Sequence, residues 1–188
     1  MAYPFVESPN KTPTKGREID LVVMHTAEVG ERPDSAEAVA RWFARPSTNV
    51  SAHYCVDANS VVQCVREQDI AWHARGGNAN SIGIELAGYA RQTKAQWADA
   101  YSRAMLERAA ELVAAICDRH EVPIRRVRAA GLRAGRRGIT GHVNVGEAFR
   151  MTDHWDPGPN FPWPRFLELV RTASEPIALA AEGPSAVA

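Results

Sequence analysis

Between positions 97 and 116 the large apolar residues recur at every third or fourth place: Trp97, Tyr101, Met105, Ala109, Leu112 and Ile116. A stripe of that length commits the segment to one long amphipathic helix with a face that must be buried. Thr93-Lys94-Ala95-Gln96, just ahead of it, has the capping-box pattern that satisfies two free backbone N–H groups, and Pro123 closes the run. The surface to cover is supplied by short β-branched runs. Residues 19–24 (Ile-Asp-Leu-Val-Val-Met) suit a buried strand that ends at His25. In the strand predicted over residues 81–86, Ile82, Ile84 and Leu86 share one face, while Gly83 and Glu85 share the other. The expected unit is a long helix laid over a sheet.

Shorter elements complete it. A helix is expected from Asp34 or Ser35, either able to cap it, with Ala36, Val39, Ala40 and Phe43 inward and Pro46 as its stop. Residues 50–56 and 61–66 read as a hairpin around Asp57-Ala58-Asn59-Ser60. A last helix enters at Pro164 and carries Phe166, Leu169 and Val170. Residues 1–17 read as an arm outside the core, 18–171 as one domain, and 172–188 as a tail or linker. The arginine-rich segment 125–138 reads either as a solvated loop or as a wall that attracts an acidic substrate.

Charge excludes some partners. Lys+Arg and Asp+Glu both total 22, so no basic excess points to nucleic acid or an anionic membrane. Nothing in the pattern calls for more than a monomer. Cys55, Cys64 and Cys117 contain no CxxC pair and read as buried thiols.

Chemistry concentrates in three distant segments. His25 and His142 each sit where a strand-like run breaks into a loop, and Asp156 precedes the rigid turn Pro157-Gly158-Pro159. Two imidazoles and a carboxylate leave one position of a tetrahedral zinc open, the arrangement of a hydrolytic metal. The alternative for Asp156 is a turn cap, and for Glu85 a strand residue paired with an arginine. His120 closes the long helix and reads as structural. His53 and His73 read equally well as pocket residues or as satisfied core groups.

Val50-Ser51-Ala52-His53-Tyr54, Ala71-Trp72-His73-Ala74, Asn80-Ser81-Ile82-Gly83-Ile84-Glu85, Thr140-Gly141-His142 and Asp156-Pro157-Gly158-Pro159 resemble, in order and spacing, the type 2 zinc-dependent N-acetylmuramoyl-L-alanine amidases. That family shares its fold with peptidoglycan recognition proteins and includes phage endolysins. The resemblance implies an α/β fold with a central mixed sheet flanked by helices and a metal in a groove on one side. It implies Zn2+ held by His25, His142 and Asp156, with Glu85 as catalytic carboxylate. His154 stands where relatives often carry lysine or another polar group that steadies the oxyanion, and Ala52 stands where some branches carry tyrosine.

The implied reaction is hydrolysis of the amide between N-acetylmuramic acid and L-alanine, with peptidoglycan or a muropeptide as partner. The competing expectations are a non-catalytic peptidoglycan-binding module and a cytoplasmic amidase recycling anhydromuropeptides. Residues 1–16 lack the pattern of a secretory leader. The expectation is therefore a lysin that waits in the host cytoplasm, its linker leading to a separate wall-binding domain.

Overall fold

The computed structural model describes residues 3–175. Its strands are β1 (Lys11–Thr12), β2 (Leu21–Thr26), β3 (Tyr54–Val56), β4 (Val61–Gln63), β5 (Ile70–Ala71), β6 (Ser81–Leu86) and β7 (Gly138–Gly141). The helices are α1 (Ser35–Phe43), α2 (Ala100–Arg119), α3 (Ala129–Arg133), α4 (His142–Phe149) and α5 (Trp163–Ser174). The main sheet runs β4-β3-β6-β2-β7, with β4 antiparallel to β3 and the other pairs parallel. It is a mixed sheet with helices on both faces, as expected.

Strand alternation decides which face carries chemistry. Val22 and Met24 of β2, Ile82, Ile84 and Leu86 of β6, and Tyr54 and Val56 of β3 all enter one core with α2 and α5. The alternate residues face the other way, and that face is covered in two separate patches. Over β3 and β4, α1 packs Ala36, Val39, Ala40 and Phe43 on Cys55, Val62 and Cys64. Over β2 and β7, Leu132 of α3 and Val145 of α4 pack with Leu21 and Val23. Between the patches the sheet is left open at the carboxyl ends of its parallel strands, where α/β sheets commonly bind ligands.

Several local expectations are corrected. The capping box forms, with Thr93 N donating to Gln96 Oε1 at 2.9 Å, but it opens only one 3-10 turn over Gln96–Ala98. The long helix then starts at Ala100, recapped by Asp99, whose side chain accepts from Ser102 N at 2.8 Å. Asp34 precedes α1 without a side-chain cap; Asp57 of the hairpin reaches across instead and accepts from Ala36 N at 3.0 Å. A long-range carboxylate has replaced a local one.

The arm is docked rather than free. Its β1 pairs with β5, Asn10 is buried, and the Asn10 amide donates to the carbonyls of Phe43 and Arg45. At the other end α5 runs to Ser174, three residues past the expected boundary; residues 176–188 of the tail lie outside the described residues. The three cysteines are free and buried. Segment 125–138 is no simple loop, since it contains α3 and ties itself down: Arg126 stacks over the Trp163 ring at 4.5 Å and Arg137 pairs with Asp20 at 3.0 Å.

Candidate metal centre

His25, His142 and Asp156 lie on three elements brought to one corner of the open face. His25 is the fifth residue of β2, facing away from the α2 core. His142 follows β7 directly, one residue beyond the Met24–Gly141 pair, and is the first residue of α4. Asp156 is fastened to that junction through its backbone, because its carbonyl accepts from Val143 N at 2.9 Å. The neighbouring sequence makes room for the contact. A Cβ on Gly141 would meet Pro157 Cδ at 2.7 Å, and one on Gly158, whose φ is +90°, would meet the Ala90 carbonyl oxygen at 1.9 Å. The Thr-Gly-His and Asp-Pro-Gly-Pro motifs are therefore two halves of one joint.

The three side chains are buried, and one ligand atom from each lies within 4.8 Å of the other two. Asp156 Oδ2 is 3.0 Å from His25 Nδ1, and Oδ1 is 3.2 Å from His142 Nδ1. Burial alone would raise Asp156, but its close contacts with the His142 and His25 rings outweigh it and hold the carboxyl far below its ordinary range. Burial likewise keeps His142 below its usual value, against the opposing pull of Asp156. The result is an ionised carboxylate whose only ion-pair partners among the described residues are imidazoles. A buried anion without a cationic side chain is costly. Its missing charge is what a divalent ion would bring, and nitrogen with carboxylate oxygen is a zinc-compatible donor set.

Glu85 is the register partner of His25 on the neighbouring strand and faces the same groove. Burial, followed by the negative charges of Asp156 and Glu28, pushes its carboxyl well above the usual range. No arginine pairs with it among the described residues, so the structural alternative raised for Glu85 finds no support. His154 projects from the loop above the centre with its side chain 63% exposed. It stacks on His142 with ring centroids 4.4 Å apart, and its Nδ1 is 3.5 Å from Asp156 Oδ1.

The two undecided histidines separate. His53 is wholly buried and locked: Nδ1 accepts from Gly83 N at 3.0 Å, and Nε2 lies 3.1 Å from the Asp69 carbonyl oxygen. Burial and the adjacent Arg17 lower it to about 3. His73 instead lines the groove, its Nδ1 3.0 Å from His25 Nε2. Sequence reasoning left His73 open between a pocket residue and a core group. Its one signal was Gly83, where a Cβ would come within 2.5 Å of the His73 ring. His120 is structural, its Nε2 2.6 Å from Glu67.

The groove encloses about 630 Å³. Its walls are largely apolar, with Trp42, Val50, Trp72 and Trp155 around Glu28, Glu85 and the metal-binding corner. No lysine or arginine lines it among the described residues, so the arginine wall considered for segment 125–138 faces elsewhere.

Comparison with known proteins bears on the family and the fold. A family model described as N-acetylmuramoyl-L-alanine amidase matches residues 15–159. The chain is 33% identical over 168 residues to N-acetylmuramoyl-L-alanine amidase A of Achromobacter lyticus, covering 84% of this chain and 86% of that protein. Its fold is similar to that of an AmpD derivative, with a TM-score of 0.62 at 26% identity over 89% of this chain and 94% of the other. It is also similar to that of a mutant endolysin from Bacillus subtilis, with a TM-score of 0.64 at 19% identity over 90% and 99% of the two chains.

Proposed function

The chain belongs to the N-acetylmuramoyl-L-alanine amidase family, and from that premise we propose that it cleaves peptidoglycan with a zinc ion held by His25, His142 and Asp156. The reaction is hydrolysis of the amide that joins N-acetylmuramic acid to L-alanine. The observation that carries the zinc reading is the buried Asp156 carboxylate, flanked by two imidazoles and by no cationic side chain among the described residues.

An amide resists hydrolysis because water is a poor nucleophile and the tetrahedral intermediate carries negative charge. Zinc, when bound, supplies Lewis acidity that makes a water's proton easier to remove and polarises the scissile carbonyl. Glu85, on the same face as His25, takes that proton and later delivers it to the departing amine. A carboxyl held above its ordinary range suits both halves of the task, since it must accept a proton and then release it. His154, exposed at the rim and stacked on His142, is in position to donate to the carbonyl oxygen as charge develops there.

Stripping the purified protein with a chelator should abolish release of stem peptides from isolated cell walls, and added zinc should restore it. Zinc uptake without release would favour a non-catalytic wall-binding module. Lysis is the use proposed for the reaction, and faster cleavage of polymeric wall than of soluble muropeptide would support it.

A further inference from the structure

We propose that His73 and Ser81 are positioning residues of the metal centre, fixing through a one-way chain of hydrogen bonds which nitrogen of His25 is free to bind the ion. The inference rests on the reading of His25 as a zinc ligand. The chain ends on the carbonyl oxygen of Gly77, which can only accept. Ser81 Oγ lies 2.6 Å from it and commits its single proton there. Oγ must then accept, and the atom facing it at 3.2 Å is His73 Nε2. A neutral imidazole protonated on Nε2 has its lone pair on Nδ1. His73 Nδ1 lies 3.0 Å from His25 Nε2, so His25 carries its proton on Nε2 and keeps the lone pair on Nδ1. That lone pair faces Asp156 Oδ2 at 3.0 Å. Two acceptors pointing at each other need a cation between them.

The surroundings hold this polarity in place. Ser81 is fully buried at the start of β6, so water does not compete for its hydroxyl. His73 is clamped by its backbone as well, because Asn78 Oδ1 accepts from His73 N at 3.1 Å and from Ala74 N at 2.6 Å. The ring rests on Gly83, the one position of β6 where no Cβ stands in the way. His142 has no equivalent support: its Nε2 is buried without a partner among the described residues. Orientation from behind is thus given to one imidazole of the pair. A partner that holds the second N–H of a ligating histidine raises the basicity of the first nitrogen, and its loss typically costs 10–100-fold in metal affinity.

The test is zinc affinity, measured by competition with a chromophoric chelator for the wild type, His73→Phe and Ser81→Ala, with unfolding of the metal-free proteins followed in parallel. His73→Phe, which keeps the ring and removes the acceptor, should weaken zinc binding roughly 10–100-fold; Ser81→Ala should weaken it less, in the same direction. Equal affinity in the wild type and His73→Phe would overturn the proposal alone. A wild type that takes up no zinc would overturn the functional reading and this one with it. Should His73→Phe not fold, ring 15N spectra of the wild type decide: His73 protonated on Nε2 supports the chain, and His73 protonated on Nδ1 breaks it.

Discussion

Asp156 and Glu67 are both largely buried carboxylates with histidine beside them, yet only one is neutralised from within. Glu67 accepts from Tyr54 Oη at 2.7 Å and from Arg119 Nη2 at 2.5 Å, and His120 Nε2 is 2.6 Å away. Burial would raise it, but the hydrogen bonds of Arg119, Tyr54 and His120 outweigh that and bring it below its ordinary value. Asp156 is also held low, but by imidazoles alone. The first cluster is closed: a guanidinium supplies the positive charge, and the group ties the end of α2 to the loop after β4. The second is open: no lysine or arginine faces Asp156 among the described residues. A carboxylate–histidine cluster is therefore structural or functional according to where its cation resides.

The largest effect that could break this contrast is at Asp156 itself. Asp156→Asn should lose zinc, measured by metal content after dialysis, and with it all detectable amide cleavage. Glu67→Gln should keep zinc and activity while losing about 1–3 kcal/mol of stability in a denaturant titration, the cost of leaving buried partners unsatisfied. Loss of zinc in Glu67→Gln would erase the distinction.

Within the open cluster, ligands and proton handlers should separate. Glu85→Gln should retain zinc and lower kcat roughly 10²–10⁴-fold. His154→Ala should lower it roughly 10²–10³-fold, also with zinc retained, as removal of one oxyanion donor does. Wild-type turnover in either variant would remove that residue from the mechanism.

His53 sharpens the comparison from another side, as a buried histidine that must stay neutral. With a folded value of about 3 and an unfolded value of about 6.5, only the unfolded chain takes up the proton between those limits. Its contribution to stability is full above about pH 6.5 and is lost as the pH falls towards 3. The loss between pH 7 and pH 5 should be about 2 kcal/mol, and His53→Asn should flatten that part of the urea-midpoint profile. An equally steep profile in the variant would assign the acid sensitivity elsewhere. The smallest effect is expected in the arginine-rich segment. Replacing Arg133 and Arg136 with Gln should leave KM and kcat on a muropeptide unchanged; a raised KM would mean that this face meets substrate after all.

Much of this was legible before any coordinates. Alternation along 81–86 placed Glu85 on the face opposite Ile82 and Ile84, because a strand has no other period. The stripe from Trp97 to Ile116 announced its helix for the same kind of reason. Residues whose role depends on a distant neighbour were less legible. Nothing near Asp34 shows that Asp57 takes over the capping of α1, and nothing near Thr93 shows that Asp99 restarts the helix. His53 and His73 are both short of local signals. Position 83 of β6 separates them: its N–H donates to the buried His53 ring, while its missing side chain leaves room for the His73 ring on the groove face.

The amino-acid order alone determined the periodicities, hence the strands, the long helix and the face each side chain takes, since these follow from backbone geometry within a few residues. It also supplied two imidazoles and a carboxylate at chain positions far apart. Only the tertiary structure decided that α1 and the α3–α4 pair cover the sheet in separate patches, that the gap between them falls over His25 and Glu85, and that Asp156 arrives there without an arginine. Charge balance in a buried cluster depends on which distant segments meet, and no local pattern encodes that.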